Sequence, residues 1–126
     1  MKKEIIMIVI IIMIVIVADI IFTKSTDNKV KDLLNRLNKI SGEIESKDEK
    51  ALNDIKELKD IWKNHSHELE FYIEHEDIEK INIELECLDA YYNSKSKSET
   101  FSTISRIKAM SYYIIDKHRF KLNNFF

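Results

Sequence analysis

The sequence predicts an all-α protein, an N-terminal transmembrane helix followed by a small antiparallel helical bundle of three to four helices. Three observations carry this. Residues 5–22, IIMIVIIIMIVIVADIIF, form an almost uninterrupted apolar run whose only charge is Asp19. The chain has no Pro and one Gly, and a β-rich fold is hard to build without turn residues. After Asp27, apolar residues recur three and four apart, the spacing of one helix face.

The apolar run is long enough for the thinner part of the membrane-spanning range. Its Ile, Val and Met sum to roughly −4 to −6 kcal/mol of insertion free energy, which outweighs an acid near one end. A cleavable signal peptide is the rival reading, with Met1-Lys2-Lys3 as its charged region and Ala18 before the cut. Ile16 is bulky where a small residue is favoured, and the run resumes after Asp19. An uncleaved signal anchor is therefore expected, with residues 1–4 as a cytoplasmic tail and residues 5–22 as the transmembrane segment. Lys2 and Lys3 favour an inside N-terminus, while Lys24, Lys29, Lys31, Arg36 and Lys39 pull the other way. The short lysine-bearing tail decides for a single-pass protein of the cell membrane whose C-terminal domain is extracytoplasmic.

Residues 23–46 read as a stalk helix and linker. Val30, Leu33, Leu34, Leu37 and Ile40 make one stripe, and Ser41-Gly42 offers a stop, with Gly42 suited to the left-handed residue past a helix end. Residues 47–126 read as the bundle domain. Ser46 with Glu49 has the form of a capping box opening a helix whose stripe is Leu52, Ile55, Leu58, Trp62, Leu69, Tyr72 and Ile73, broken by a polar layer at His65 and Ser66. A tight turn is expected near 74–77, where Glu74-His75-Glu76-Asp77 interrupts the stripe and acids suit a first helical turn. The next helix carries Ile78, Ile81, Leu85, Leu88 and Tyr92 at near-heptad spacing, as in a coiled coil. Asn93 to Ser98 is a loop, and Ser96 with Glu99 repeats the capping pattern. The last helix carries Phe101, Ile104, Ile107, Met110 or Ser111, Ile114, His118, Leu122 and Phe125, and should run to about Asn123.

Charge is divided unevenly between the later segments. Residues 67–89 hold nine acids against Lys80, and residues 95–121 hold seven bases against Glu99 and Asp116. Antiparallel neighbours with attracting edges explain this, each exposed pair contributing under about 1 kcal/mol. With a net charge of −2, no bulk affinity for nucleic acid is expected.

Chemistry-bearing constellations are sparse. His65 and His67, two apart, point to different sides of a helix. His75 and Glu79 could supply two ligands, which do not make a site. Cys87 has no partner motif, and Glu84 and Glu86 oppose its ionisation. One Gly rules out glycine-rich phosphate loops. Phe71, Tyr91 and Tyr113 fall off the stripes and, with the terminal Phe125-Phe126, could form a partner surface. No catalytic residue, cofactor, metal or small-molecule substrate is expected.

The order of features resembles an uncharacterised bacterial family. A Lys-led apolar N-terminus, Trp62 within Leu58-Lys-Asp-Ile-Trp62, the acidic segment Ile73-Glu-His75-Glu-Asp77-Ile78 and a C-terminal Asn-Asn-Phe are similar to domain-of-unknown-function family 4363, short single-pass helical proteins of Gram-positive bacteria. The resemblance spans nearly the whole chain and implies no activity or cofactor. It implies an integral membrane protein as partner and directs attention to Trp62 and His75; self-association is the other route to a partner, and Asp77 beside His75 joins these two residues as partner contact or structural junction. The function expected is a membrane-tethered extracytoplasmic interaction module of the cell envelope. Two alternatives stand beside it: an envelope metal-binding or hydrolytic protein using His75 and neighbouring acids, and a passive coiled-coil spacer.

Overall fold

In the computed structural model, which describes residues 1–125 and the side chains as far as Lys117, the described residues form four helices: α1 (Lys2–Glu45), α2 (Lys50–Leu69), α3 (His75–Asn93) and α4 (Lys97–Phe125). Each helix packs against two others, α1 on α2 and α4, and α3 on α2 and α4, while the diagonal backbones stay apart. The result is a closed ring of four antiparallel neighbours around one core, the architecture that short connections impose.

α1 is one unbroken helix of 44 residues, about 66 Å long at 1.5 Å per residue. Its N-terminal part, from Ile5 to Phe22, is apolar and largely exposed. Its C-terminal part lies in the core, with Val30, Leu33, Leu37 and Ile40 at most 1% exposed. The segment expected as a stalk is thus the first helix of the bundle. A stripe of five aliphatic residues has too much apolar surface to leave in water, at roughly 1.5–3 kcal/mol for each fully buried side chain. Three helices alone would leave it uncovered.

Gly42 does not stop α1. It sits inside the helix without a positive φ, and Ile44, beyond it, still packs against the core. The left-handed residue is Lys47, with φ of 58°. Around it the Asp48 N–H donates to the Glu43 carbonyl at 2.8 Å and the Lys47 N–H to the Ile44 carbonyl at 3.2 Å, the paired bonds of a Schellman ending. α3 ends the same way at Lys95, φ 61°, with Ser96 N–H on the Tyr91 carbonyl and Lys95 N–H on that of Tyr92. Both turns lie at the end of the bundle away from the apolar segment.

Neither capping box forms as expected. Ser46 closes α1, its hydroxyl donating to the Glu43 carbonyl, and Asp48 instead accepts the Lys50 N–H at 3.0 Å. The Ser96 carbonyl accepts the Thr100 N–H, while its hydroxyl faces that of Ser94 at 3.2 Å.

α2 runs straight through the polar layer. Ser66 is buried because its hydroxyl donates to the Lys63 carbonyl of the same helix. α4 repeats the device with Thr100, Thr103 and Ser111, each bonded at 2.8 Å to the carbonyl four residues back. Small hydroxyl residues satisfied on their own helix can line a core without cross-helix partners. Ser111 takes the buried position next to partly buried Met110, between the buried Ile104, Ile107, Ile114 and Ile115. The expected stripe positions at His118, Leu122 and Phe125 lie outside the described side chains.

The break between α2 and α3 falls at residues 70–74, ahead of the expected 74–77. Ile73 accounts for the shift: it is 6% exposed and joins the core cluster, so the chain must turn around it. Glu74, with ψ of 132°, then opens α3, and Glu76 and Asp77 occupy the first turn, where the helix dipole favours acids.

Candidate functional site

The ends of the bundle differ in what they present. At the distal end lie the two lysine turns. At the end nearest the apolar segment, the α2–α3 turn lies beside α1, with Tyr72 stacked on Phe22 at 4.6 Å between ring centroids and 26° between planes. Phe71, tilted against Tyr72 at 6.4 Å, is 82% exposed.

Ion pairs fix the register that brings these groups to one level. Lys29 of α1 pairs with Glu68 near the end of α2, while further along α1 Lys39 lies 3.5 Å from Asp54 near the start of α2. Between α3 and α4, Arg106 donates to Glu84 at 3.0 Å, and Lys117 to Glu74 at 2.8 Å. Lys59 joins α2 to Glu86 and Asp89 of α3, both at 3.0 Å. The hydrogen bond to Asp89, followed by that to Glu86, holds the Lys59 ammonium above its ordinary pKa. The acidic and basic segments are therefore packed edges of neighbouring helices, as the charge division indicated.

Of the three residues singled out in the sequence, His75 and Asp77 share the first turn of α3 and Trp62 lies apart from them in the core. Trp62 is 1% exposed, and its indole N–H is buried without an acceptor. It is a packing residue, out of reach of any partner while the bundle stays closed. Asp77 faces Lys117 at 3.6 Å with its carboxylate largely covered. His75 is exposed at the junction, Nδ1 3.9 Å from Glu70 and Nε2 3.5 Å from Glu79. The two acids lie near opposite ring nitrogens of an exposed side chain, and a single ion cannot bind both nitrogens of one ring. Among the described residues there is no group of three or more His, Cys, Asp or Glu side chains able to hold a metal ion.

A second feature at this end is an open groove between α1 and α2 of about 720 Å³, lined by Ile21, Lys24, Asn28, Lys29, Arg36 and His65 among others. Arg36 is drawn to Asp32 at 3.0 Å and His65 lies 3.7 Å from the same carboxylate. Lys24 projects from the helix just past the apolar run.

A buried carboxyl, Glu43, and a half-buried one, Asp54, sit together towards the distal end. Glu43 and Asp54 share a hydrogen bond with Lys39 beside them, 3.9 Å from Glu43. That bond, and then burial, raises the Glu43 pKa; the same bond lowers that of Asp54, assisted by Lys39.

Among the aromatics expected to form a partner surface, Phe71 and Tyr113 are exposed, Tyr91 is half-buried, and Phe125-Phe126 lie outside the described side chains. Lys117 Nζ stands 5.6 Å from the Tyr113 ring centroid. The Phe22–Tyr72 contact is not legible in the spacing of the sequence, which puts Tyr72 on the core stripe. The available signal was a Phe-Tyr pair at a helix break together with an aromatic ending the apolar run.

Comparison with known proteins adds one match. The model of a family described as a domain of unknown function, DUF4363, matches residues 20–125. No curated protein and no solved structure matches the chain.

Proposed function

The chain belongs to the DUF4363 family, and on that premise we propose that it is a membrane-tethered helical interaction module, its bundle held on the extracytoplasmic face and presented to a membrane or envelope protein partner. The observation that carries this reading is the continuity of α1. One helix has a mean hydropathy of 3.5 over its most apolar 18 residues, none of them buried, and then supplies a full wall of the bundle core. Such a surface left in water would be an aggregation hazard, whereas the hydrocarbon of a bilayer accepts it. From Ile5 to Phe22 the helix rises about 27 Å, close to the hydrocarbon thickness of about 30 Å.

Asp19 falls near the outer edge of that span, where an acid costs less than at the centre. Lys2 and Lys3, on the N-terminal side of the run, favour that side inside. A tether that enters the core directly gives the bundle a fixed distance from the bilayer. Fixed distance suits contact with a neighbouring membrane protein better than search through the bulk solvent.

The test uses Ser98→Cys, an exposed position at the distal end, in a Cys87→Ala background. Labelling by a membrane-impermeant thiol reagent in intact cells is the expected outcome, together with full-length mass and resistance to alkaline extraction. Protection until lysis would place the bundle inside. A mass shortened near Ala18 would make the apolar run a cleaved signal. In-cell crosslinking that recovers only the chain itself, and no membrane or envelope protein, would remove the partner reading.

A further inference from the structure

We propose that the α2–α3 turn is a second membrane contact: Phe71 and Tyr72 enter the headgroup–acyl boundary beside α1 and hold the bundle upright on the leaflet. The proposal rests on the reading that α1 crosses the bilayer. Its observations concern a different part of the chain.

The first is level. Tyr72 stacks on Phe22, the last residue of the apolar run. If that run occupies the hydrocarbon, its end lies at the boundary, and the ring stacked on it lies there too. Tyr concentrates at this depth because a flat apolar ring with a polar hydroxyl suits the boundary, and Phe inserts there as part of an apolar face.

The second is exposure without support. Phe71 leaves 82% of its surface uncovered and Tyr72 40%, though the aliphatic residues flanking them, Leu69 at 1% and Ile73 at 6%, are buried. A neighbour on each side in the core holds the turn fixed, so Phe71 projects from a rigid base.

The third is the absence of a hinge. α1 continues from Ile5 through Phe22 to the buried Thr26 and Val30 with no break. The bundle therefore cannot lift away from the boundary by bending at a linker. Whatever depth α1 adopts, the turn adopts with it.

Charge around the turn is compatible with lipid. Glu68 is paired with Lys29 and Glu74 with Lys117, and Glu70 faces His75. Lys24 lies two residues along α1 from Phe22, about 3 Å from the boundary, placed for an anionic headgroup. An apolar wedge reaching about 5–10 Å into the boundary needs its flanking acids neutralised or turned to water; Glu68 and Glu74 are paired with lysines, and Glu70 keeps nearly half of its side chain exposed. A second copy of the chain or the face of a protein partner would also cover Phe71. Level with the end of the apolar run, however, lipid surrounds the turn wherever no protein does.

The test is spin labelling of the full chain, reconstituted in vesicles of phosphatidylethanolamine and phosphatidylglycerol. In a Cys87→Ala background, labels are placed singly by Phe71→Cys, Ile12→Cys and Ser98→Cys. Collision with oxygen, which concentrates in the acyl region, is compared with collision with a neutral nickel chelate, which stays in water. The expected result is strong oxygen preference at 12, nickel preference at 98, and at 71 an oxygen-to-nickel ratio between the two and nearer to that at 12. Nickel contact at 71 equal to that at 98, with 12 still deep, overturns the membrane contact and leaves the tether standing. Nickel contact at 12 overturns the tether, and the proposal falls with it. A label at 71 shielded from both reagents means that protein covers the turn, which also overturns it; dipolar broadening that vanishes on dilution with unlabelled chain identifies the cover as a second copy. Because Phe71 is exposed, the substitution spares the core, and the helical circular dichroism of each variant is checked against the unlabelled chain.

Discussion

Gly42→Ala should stabilise the bundle, and Lys47→Gly should stabilise it as well. Gly42 lies within α1 four residues before its Ser46 cap, has no positive φ, and nothing stands within 4 Å of where a Cβ would be placed. Alanine there restricts the unfolded chain without meeting any neighbour, a gain of about 0.5–1 kcal/mol. Lys47 holds φ at 58°, a left-handed conformation costing a residue with a Cβ roughly 1–2 kcal/mol, part of which glycine returns as unfolded-state entropy. The net gain at that turn is about 0.5–1 kcal/mol. For a domain of this size, 1 kcal/mol moves Tm by about 4–8 °C. The measurement is thermal or urea unfolding of the full chain in detergent micelles, followed by helical circular dichroism. The signs matter more than the sizes. Were Gly42 the left-handed residue closing α1, alanine would cost about 1 kcal/mol instead. A Tm lowered by Gly42→Ala, or a Lys47→Gly variant no more stable than the parent, would refute the placement of the turn at Lys47.

Trp62→Ala should cost about 3–5 kcal/mol by leaving a cavity in the core, read as a lowered urea midpoint. Trp62→Phe should cost much less, because the buried indole N–H lacks an acceptor and its removal relieves a penalty of about 1–3 kcal/mol; equal losses for the two would mean that Trp62 is not a packing residue. Glu43 predicts a pH dependence. Unfolded, it ionises around its ordinary value of 4.5, and folded it keeps its proton to higher pH, so stability falls as pH rises from that value through the raised one. Asp54 acts oppositely, losing its contribution as pH falls below its ordinary 3.8. Glu43→Gln keeps a hydrogen bond to Asp54 with no proton at stake and removes an acid from the end of α1, so it should flatten the first slope and add about 0.5–1.5 kcal/mol at pH 7. Unfolding midpoints measured across pH 4–7, with the two proteins running parallel, would contradict it.

Helix number, helix identity and most of the core were legible because the apolar stripes are long and their period is clean. Leu33, Leu37, Ile55, Leu58, Ile81, Leu88 and Ile107 all sit where their spacing puts them. What escaped was punctuation. Gly42 and the serines carry strong local signals for stops and caps, yet helix ends are set by where the core ends. Ile44 draws α1 past its glycine, and Ile73 draws the next turn forward. The common Ser-Lys of the two Schellman endings is a visible pattern only once both turns are known to lie together. That Val30 to Ile40 pack into the bundle core is hidden for a related reason, since a stripe alone does not say whether its partner is a stalk mate or a bundle. At the candidate site, His75 was legible as a junction residue. The stack of Tyr72 on Phe22 was not, because it joins residues fifty positions apart that no periodicity connects.

An unbroken α1 also makes the bundle's compass bearing a property of the membrane segment. Each residue of an α-helix turns the chain by about 100° and advances it by about 1.5 Å. One residue added between Phe22 and Thr26 would leave the composition of both halves intact, yet it would swing the outer faces of α2, α3 and α4 through more than a quarter-circle relative to the helix face that neighbouring lipids or proteins meet. The number of residues in that short interval, rather than their identity, then decides which side of the bundle faces which neighbour.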